Sequence, residues 1–356
     1  MLPFPRKRIR RDRPIIGLTI GDINGIGPEV LLKGMADKRL QRFVIPVIIG
    51  PMSALHTHAG TLKVKNLNLH PIRSIEEIDS SLPGKQTGLY VLDQDDDETP
   101  AVEFGRPTEA SGRTAMKAVD EAIRLSLDES IAGFVTAPIS KEAVVRAGYN
   151  IPGHTEHIAA KTHSQRYTMM MVAQSLRVGL VTTHHALRDI PVRITEEAIL
   201  EKLDIIDESL QLDFGIDEPR IAVLSLNPHA GDGGVLGREE IEIIQPALQK
   251  AAARGLQADG PHAADGFFAN RRFNDYDAIL AMYHDQGLIP FKALSFNSGI
   301  NFTAGLPIIR TSPDHGTAYD IAGQGKASPE SIRHALYLAL DIARRRRAVG
   351  VLRARV

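Results

Sequence analysis

The sequence predicts an α/β fold with substantial parallel strand pairing, organised as two lobes in continuous contact. Three observations lead there. Short apolar runs alternate with helix-period stretches along nearly the whole chain. At 356 residues the chain is longer than one hydrophobic core usually organises. No internal repeat or low-complexity linker divides it, so the lobes are not beads on a string.

The elements follow in order. Pro14–Ile20 reads as a buried strand, and Pro28 sits where a helix would begin, with Glu29 in its first turn. Phe43–Ile49 closes a first βαβ-like unit at Gly50-Pro51. Further strands are expected at Leu89–Leu92, Ala132–Thr136, Met169–Ala173, Val178–Thr182, Ile221–Leu226, Ala278–Ala281 and Ile308–Thr311. Helix periodicity marks Thr108–Leu127, Thr195–Leu212, Glu239–Arg254 and Pro329–Arg346, while the acidic run Asp93–Glu98 reads as a solvated loop.

Composition narrows the function classes. An apolar fraction of 43% with 24% charged residues excludes general disorder. No run is apolar enough to span a bilayer, and the N-terminus lacks the apolar core of a signal peptide. The absence of cysteine excludes disulfides, thiolate ligands and a cysteine nucleophile, and fits an intracellular, cytoplasmic protein. Basic residues cluster at both ends: Arg6, Lys7, Arg8, Arg10, Arg11 and Arg13, then six arginines in 344–356. Without interleaved aromatics or a DNA-binding motif, these read as solvated tails, so neither nucleic acid nor membrane is expected as a partner.

Three histidines stand after apolar strand candidates: His184 in Thr-Thr-His, His229 in Asn-Pro-His and His284 in Met-Tyr-His. In open α/β sheets ligands gather where strands end. Three neutral imidazoles leave a divalent cation with its charge and open positions, which suits a catalytic Lewis acid. A histidine after a strand is more often a surface or hydrogen-bonded residue, and His185 competes with His184, since adjacent residues of an extended segment point oppositely.

Other polar groups invite a ligand. His154 and Thr155 in Pro-Gly-His-Thr-Glu (152–156) offer donors to an anion, or Thr155 caps a helix after a Pro-Gly turn. Lys292, Asn301 and Arg310 place two cations and an amide among short apolar runs and glycines. Gly21–Gly27 is either a phosphate-cradling loop or a tight strand-to-helix turn. It lacks the G-x-G-x-x-G spacing and the acidic partner about 20 residues on, so a classical dinucleotide fold is disfavoured there. Asp314-His315-Gly316-Thr317 reads as a turn opening a helix.

Taken together, the ordered motifs resemble the 4-hydroxythreonine-4-phosphate dehydrogenase family of vitamin B6 biosynthesis, from Ile16 to about Ala343. They are Gly-Asp-x-x-Gly-Ile-Gly-Pro-Glu (21–29), Thr-Ala-Pro-Ile-Ser-Lys (136–141), Pro-Gly-His-Thr-Glu (152–156), Thr-Thr-His (182–184), Asn-Pro-His-Ala-Gly (227–231), Met-Tyr-His-Asp-Gln-Gly (282–287) and Gly-Leu-Pro-Ile-Ile-Arg-Thr-Ser-Pro-Asp-His-Gly-Thr-Ala (305–318). The resemblance implies a two-lobed isocitrate/isopropylmalate-dehydrogenase-like α/β/α fold with a cleft between the lobes. Residues 14–135 with about 305–350 would form the first lobe, after a basic tail over 1–13. Residues from about 136 to 304 would form the second, carrying the metal histidines and the interface of a homodimer.

It also implies metal ligation by His184, His229 and His284, one of them supplied by the second subunit of a shared site, and substrate binding by His154, Thr155, Lys292, Asn301 and Arg310. The cofactors implied are NAD or NADP and one divalent metal per site (Zn, Mg or Co). The reaction implied is oxidation of the C3 hydroxyl of 4-phosphooxy-L-threonine to 2-amino-3-oxo-4-phosphooxybutanoate, a β-keto acid that loses CO2 to give 3-amino-2-oxopropyl phosphate. Asp265 and Lys292 are the candidates for the base, with Asp285 orienting a ligand; the residues that hold the nicotinamide are unassigned. Alternatives are a 4-phospho-D-threonate or erythronate dehydrogenase of the same superfamily and, more distantly, a zinc-dependent hydrolase. Two departures from the family pattern stand out: Ile23-Asn24 replaces Pro-Ala, and Gly266 replaces a Thr after Asp265.

Overall fold

The computed structural model describes residues 13–37, 39–62, 68–78, 88–97, 99–150, 153–295 and 298–350. Residues 1–12 and 351–356, together with Glu98, Ile151 and Pro152, lie outside the described residues. Of the arginines read as a solvated C-terminal tail, however, Arg344, Arg345, Arg346 and Arg347 belong to the last helix, Glu330–Ala348, where Arg346 is buried. The chain divides into two compact units, Met1–Ile158 with Ile308–Val356, and Ala159–Pro307.

The first unit opens with β1 (Ile15–Thr19), α1 (Gly27–Met35), β2 (Ile45–Gly50), α2 (Met52–Leu62), β3 (Leu69–Ile72) and β4 (Leu89–Asp93). It continues through α3 (Glu109–Leu127), β5 (Gly133–Thr136) and α4 (Lys141–Arg146) and leaves along α5 (His154–Lys161). Every residue of β1 and β2 is buried, so both faces of the sheet are covered, the usual condition of a parallel sheet. Thr108 begins α3 with a reciprocal capping pair: its side chain accepts from Ser111 N, and Ser111 Oγ accepts from Thr108 N.

The second unit holds β6 (Thr168–Ala173), β7 (Leu176–Leu180), α6 (Glu196–Leu212), β8 (Arg220–Leu224), α7 (Gln245–Ala253) and β9 (Gln257–His262). It is completed by α8 (Ala264–Ala269), β10 (Ala278–Ala281), α9 (His284–Ser295) and β11 (Ile300–Ala304). β11, β6 and β7 pair antiparallel in that order, and β7, β10, β8 and β9 continue in parallel. Met169, Met171, Val178, Leu180, Leu224 and Phe291 belong to one apolar core beneath these strands. The chain then returns to the first unit as β12 (Arg310–Pro313) and α10 (Glu330–Ala348). There the parallel strand order is β3-β4-β2-β1-β5-β12.

All nine expected strands are present, Ala278–Ala281 with the expected ends and the others with shifted ones, and three further strands were not read. β3 and β9 contain proline and lie at the ends of the strand orders given above, where a missing ladder donor is tolerated. β11 (Ile-Asn-Phe-Thr-Ala) is short and carries a polar residue among its apolar ones. The single helix expected over 239–254 is divided, a π-helical turn at Glu240–Ile244 preceding α7. After Asp314 a 3-10 turn (Tyr319–Ile321) stands where the opening of a helix was expected. The units change over at 158/159 and 307/308, against the expected 135/136 and about 304/305. Residues 136–158 stay with the first unit because α4 packs on α3 and His157 bonds Asp120. Among the described residues no helix is long and apolar enough to cross a membrane.

Candidate functional site

In the first unit the chemistry centres on Arg310, the first residue of β12 and only 2% exposed. The parallel register sets Arg310 opposite Phe134, two residues before Thr136 ends β5. Its Nε and Nη2 donate to Thr136 Oγ1 at 3.1 and 2.8 Å, and Nη2 also faces His154 Nδ1 at 3.4 Å. Among the described residues Nη1 is buried without a hydrogen-bond partner, and so is Nε2 of His154. A guanidinium can only donate, so His154 Nδ1 is the acceptor and Nε2 carries the proton. Two buried donors are thereby left to an anion.

The electrostatics agree with a neutral ring. Burial pushes the His154 pKa well below its ordinary value, and the positive charges of Arg310 and His157 push the same way. Burial also pulls Arg310 down to about 10, with the nearby Glu156 carboxylate opposing the shift. The guanidinium remains cationic at neutral pH. Thr155 is half-buried as the second residue of α5.

The Gly21–Gly27 loop resolves as a tight turn. A Cβ on Gly21, at φ +72°, would meet Pro138 O at 2.5 Å, and the loop amides are used locally: Asn24 N on Asp22 Oδ1, Gly25 N on Asp22 O, and Ile26 N on Thr317 O. Asp22 Oδ2 accepts from Tyr319 Oη at 2.6 Å and Ser111 Oγ at 3.2 Å, and burial raises the Asp22 pKa against these bonds. Asn24, where the resemblance leads one to expect Ala, is a buried hub. Its Oδ1 accepts from Glu103 N, and its Nδ2 donates to Arg106 O and Thr108 Oγ1.

In the second unit the three histidines follow β7, β8 and β10, which are adjacent parallel strands, so all three leave the same, carboxyl, end of the sheet. Val181 N and Thr182 N extend the β7–β10 pairing onto Ala281 O and Met282 O, and Thr182 Oγ1 adds a bond to Met282 O at 2.7 Å. That lateral tie brings the His184 and His284 rings to 5.9 Å between centroids. Of the two adjacent histidines it is thus His184, not His185, that lies against His284. His284 Nδ1 donates to Asp285 Oδ1 at 2.7 Å, which makes Nε2 the nitrogen that keeps its lone pair in the neutral ring. Gln286 links the ends of β10 and β8 by accepting from Met282 N and donating to Ser225 O.

His229 is exposed and opens a run of left-handed residues, 229–233, with φ from 45° to 79°. Three of these are not glycine, a strain that persists only where the surroundings hold it. Glu240 does so: its buried carboxylate accepts from Leu226 N, Asn227 N and Asn227 Nδ2 at 2.8–3.0 Å. Among the described residues no three His, Asp or Glu side chains form a group able to hold a metal ion. Asp265 is exposed on α8, its Oδ1 accepting from Gly266 N at 2.7 Å. Lys292 is exposed on α9, and Asn301 on β11 has a buried Oδ1 with no partner among the described residues.

Sequence reasoning did not find Thr136 as the anchor of Arg310, Glu240 as the clamp of the His229 turn, or the Asp120–His157 pair. Their burial comes from tertiary packing, for which no local pattern stands.

The fold and these groups define a class: a two-unit α/β protein with buried anion-seeking donors in one unit and imidazoles at the carboxyl ends of parallel strands in the other. The chain belongs to the family described as “Pyridoxal phosphate biosynthetic protein PdxA”, whose sequence model matches residues 42–339. A 4-hydroxythreonine-4-phosphate dehydrogenase of Bacteroides thetaiotaomicron is 45% identical over 332 residues, 93% of this chain and 89% of that protein. One of Prosthecochloris aestuarii is also 45% identical, over 91% of this chain and 96% of its own. The crystal structure of the 4-hydroxythreonine-4-phosphate dehydrogenase from Klebsiella pneumoniae superposes with a TM-score of 0.83 at 37% identity, covering 93% of this chain and 98% of that one.

Proposed function

We propose that this chain is a 4-hydroxythreonine-4-phosphate dehydrogenase, oxidising the C3 hydroxyl of 4-phosphooxy-L-threonine with NAD or NADP. The relatives that carry this name match over nine-tenths of the chain. The observation that carries the reading to the residues is the pair of unpartnered buried donors, Arg310 Nη1 and His154 Nε2, suited to one end of a doubly anionic substrate.

Thr136 holds the guanidinium in place, and Arg310 in turn keeps His154 neutral and in the donating tautomer. Thr155, Lys292 and Asn301 are the remaining substrate contacts in this reading. Asp265 or Lys292 takes the hydroxyl proton, both being solvent-exposed and able to pass it on. The product, 2-amino-3-oxo-4-phosphooxybutanoate, is a β-keto acid, and loss of its carboxylate as CO2 gives 3-amino-2-oxopropyl phosphate.

His184, His229 and His284 are the residues that would hold a divalent ion, and their donor chemistry fits one, although among the described residues of a single copy no three such side chains come together. All three are imidazoles, His284 is oriented through Nδ1, and no thiolate competes, which suits zinc or cobalt and leaves magnesium workable in an open site. Such an ion supplies Lewis acidity toward the alcohol oxygen and the ketone formed from it.

We further propose that the chain acts as a homodimer whose second copy completes this site. Large apolar side chains stand exposed in the segments that follow each histidine: Leu187 and Val192 after His184, Val235 and Leu236 after His229, Ile289 and Leu294 after His284. Apolar residues gathered around ligand groups are what a second copy would cover.

The substrate is tested by comparing kcat/KM for 4-phosphooxy-L-threonine with that for 4-phospho-D-threonate and 4-phospho-D-erythronate. The proposal expects a preference for the amino acid; a large preference for either hydroxy acid overturns it. Turnover without nicotinamide reduction would point to a zinc-dependent hydrolase instead.

A further inference from the structure

His157 lies one helical turn after His154 on α5 and is 7% exposed, yet no role in binding or catalysis has been given to it. Its Nε2 donates to Asp120 Oδ1, on α3, at 2.6 Å, and its ring stands edge-on to Tyr149. Residues three apart share a helix face, so whatever fixes His157 also fixes the rotation of the turn that presents His154. Ile158 and Ala159 bury the following turn, while on the turn that carries His154 the bond to Asp120 is the directional tie. The helix is eight residues long, and its first backbone bond is His157 N to Gly153 O at 3.2 Å. By contrast α3 is nineteen residues long, doubly capped at its start and packed on β1, β2 and β5, which makes it a rigid base for Asp120.

We propose that His157, anchored by Asp120, is a positioning residue for the anion site: it sets α5 so that His154 Nε2 and Arg310 Nη1 face one anionic group. This rests on the reading of those two donors as the substrate's anion site. The reason a tether is needed is steric and electrostatic. His154 stands 3.4 Å from a buried guanidinium, close enough for one bond through Nδ1 and too close for a charged imidazole. A small rotation of α5 would break that bond and turn the Nε2 proton away from the position Nη1 also reaches. Gly153, immediately before the helix, offers no side chain to resist such a rotation.

The test uses three variants of the full-length protein. His157→Phe keeps an aromatic edge against Tyr149 and removes the bond to Asp120; His157→Gln restores a donor; Arg310→Lys controls for the site itself. Binding of inorganic phosphate is measured by calorimetry, and KM and kcat with 4-phosphooxy-L-threonine. His157→Phe should weaken phosphate binding and raise KM by about tenfold, the scale of one well-oriented hydrogen bond, with a larger effect on KM than on kcat. His157→Gln should recover most of the loss. Unchanged phosphate affinity and KM in His157→Phe, with Arg310→Lys impaired, would overturn the positioning role and leave the anion site standing. Unchanged phosphate binding in Arg310→Lys would instead remove the anion site on which it rests. Should His157→Phe fail to fold, Asp120→Asn removes the anchoring charge from the α3 side, and the same two readouts decide.

Discussion

Replacing Arg310 by Lys keeps a positive charge and removes the planar fork. In the native arrangement Nε and Nη2 are committed to Thr136 at 3.1 and 2.8 Å, and Nη2 also meets His154 at 3.4 Å. The directional capacity left for a ligand is Nη1. A lysine ammonium is a point charge on a thin stem: anchored to Thr136 it turns from the anion, and turned to the anion it abandons Thr136. The net loss is about one charge-assisted hydrogen bond, ~1.5–3 kcal/mol. At about 1.4 kcal/mol per factor of ten this is roughly a 10- to 150-fold loss of affinity. Charge state does not confuse the comparison, because even at about 10 the native guanidinium is protonated at neutral pH. Initial rates of nicotinamide reduction against 4-phosphooxy-L-threonine concentration give KM, with circular dichroism confirming the fold. A KM within about twofold of the native value in a folded variant would refute the assignment of Nη1 to the substrate.

Three other outcomes are expected. Glu240→Gln puts an amide group where Asn227 Nδ2 and two backbone amides now donate, so denaturant unfolding should show a loss of about 1–3 kcal/mol; Glu242→Gln, on the exposed neighbour, should show almost none. His58 and His154 are held below their ordinary pKa of 6.5 by burial, so below pH 6.5 the unfolded chain binds protons that the fold refuses. Their contribution is intact above 6.5 and is lost as pH falls through that value. His58→Gln, which keeps a donor for Ile23 O, should therefore lose less melting temperature between pH 7.5 and 5.5 than the native chain; an identical loss would contradict this. Val192→Asp, at a side chain 80% exposed, should leave the fold unchanged and convert a dimer to monomers in light scattering, with activity falling in parallel.

The α/β class and the three longest helices, α3, α6 and α10, were legible because their signals are local, with Thr108 and Thr195 standing as caps where the apolar period of the first two begins; α2 and α9 were not read. β9 was illegible because Gly260 and Pro261 argue against a strand, and only its place beyond β8 makes the pairing workable. The π-helical turn at Glu240 was hidden for a related reason. Its apolar spacing reads as an ordinary helix, and the distortion lets one carboxylate reach back to the His229 turn. The histidines were visible as residues after strands, and the resemblance chose His184 over His185, but the nearness of the His184 and His284 rings depends on the β7–β10 register. Arg310 was legible as a candidate anion partner, but its burial was not. Its burial against Thr136 depends on β12 returning to β5 across 174 residues, and no window along the chain contains that contact.

The central claim is that three histidines support oxidation of a phosphorylated secondary alcohol. It is tested most directly by following nicotinamide reduction at 340 nm with 4-phosphooxy-L-threonine, before and after chelation, with zinc, cobalt or magnesium restored, and in His229→Ala. The account predicts a signal that chelation abolishes and a restored divalent ion returns, and none from a folded His229→Ala protein. Undiminished turnover after chelation, or from that variant, would contradict it.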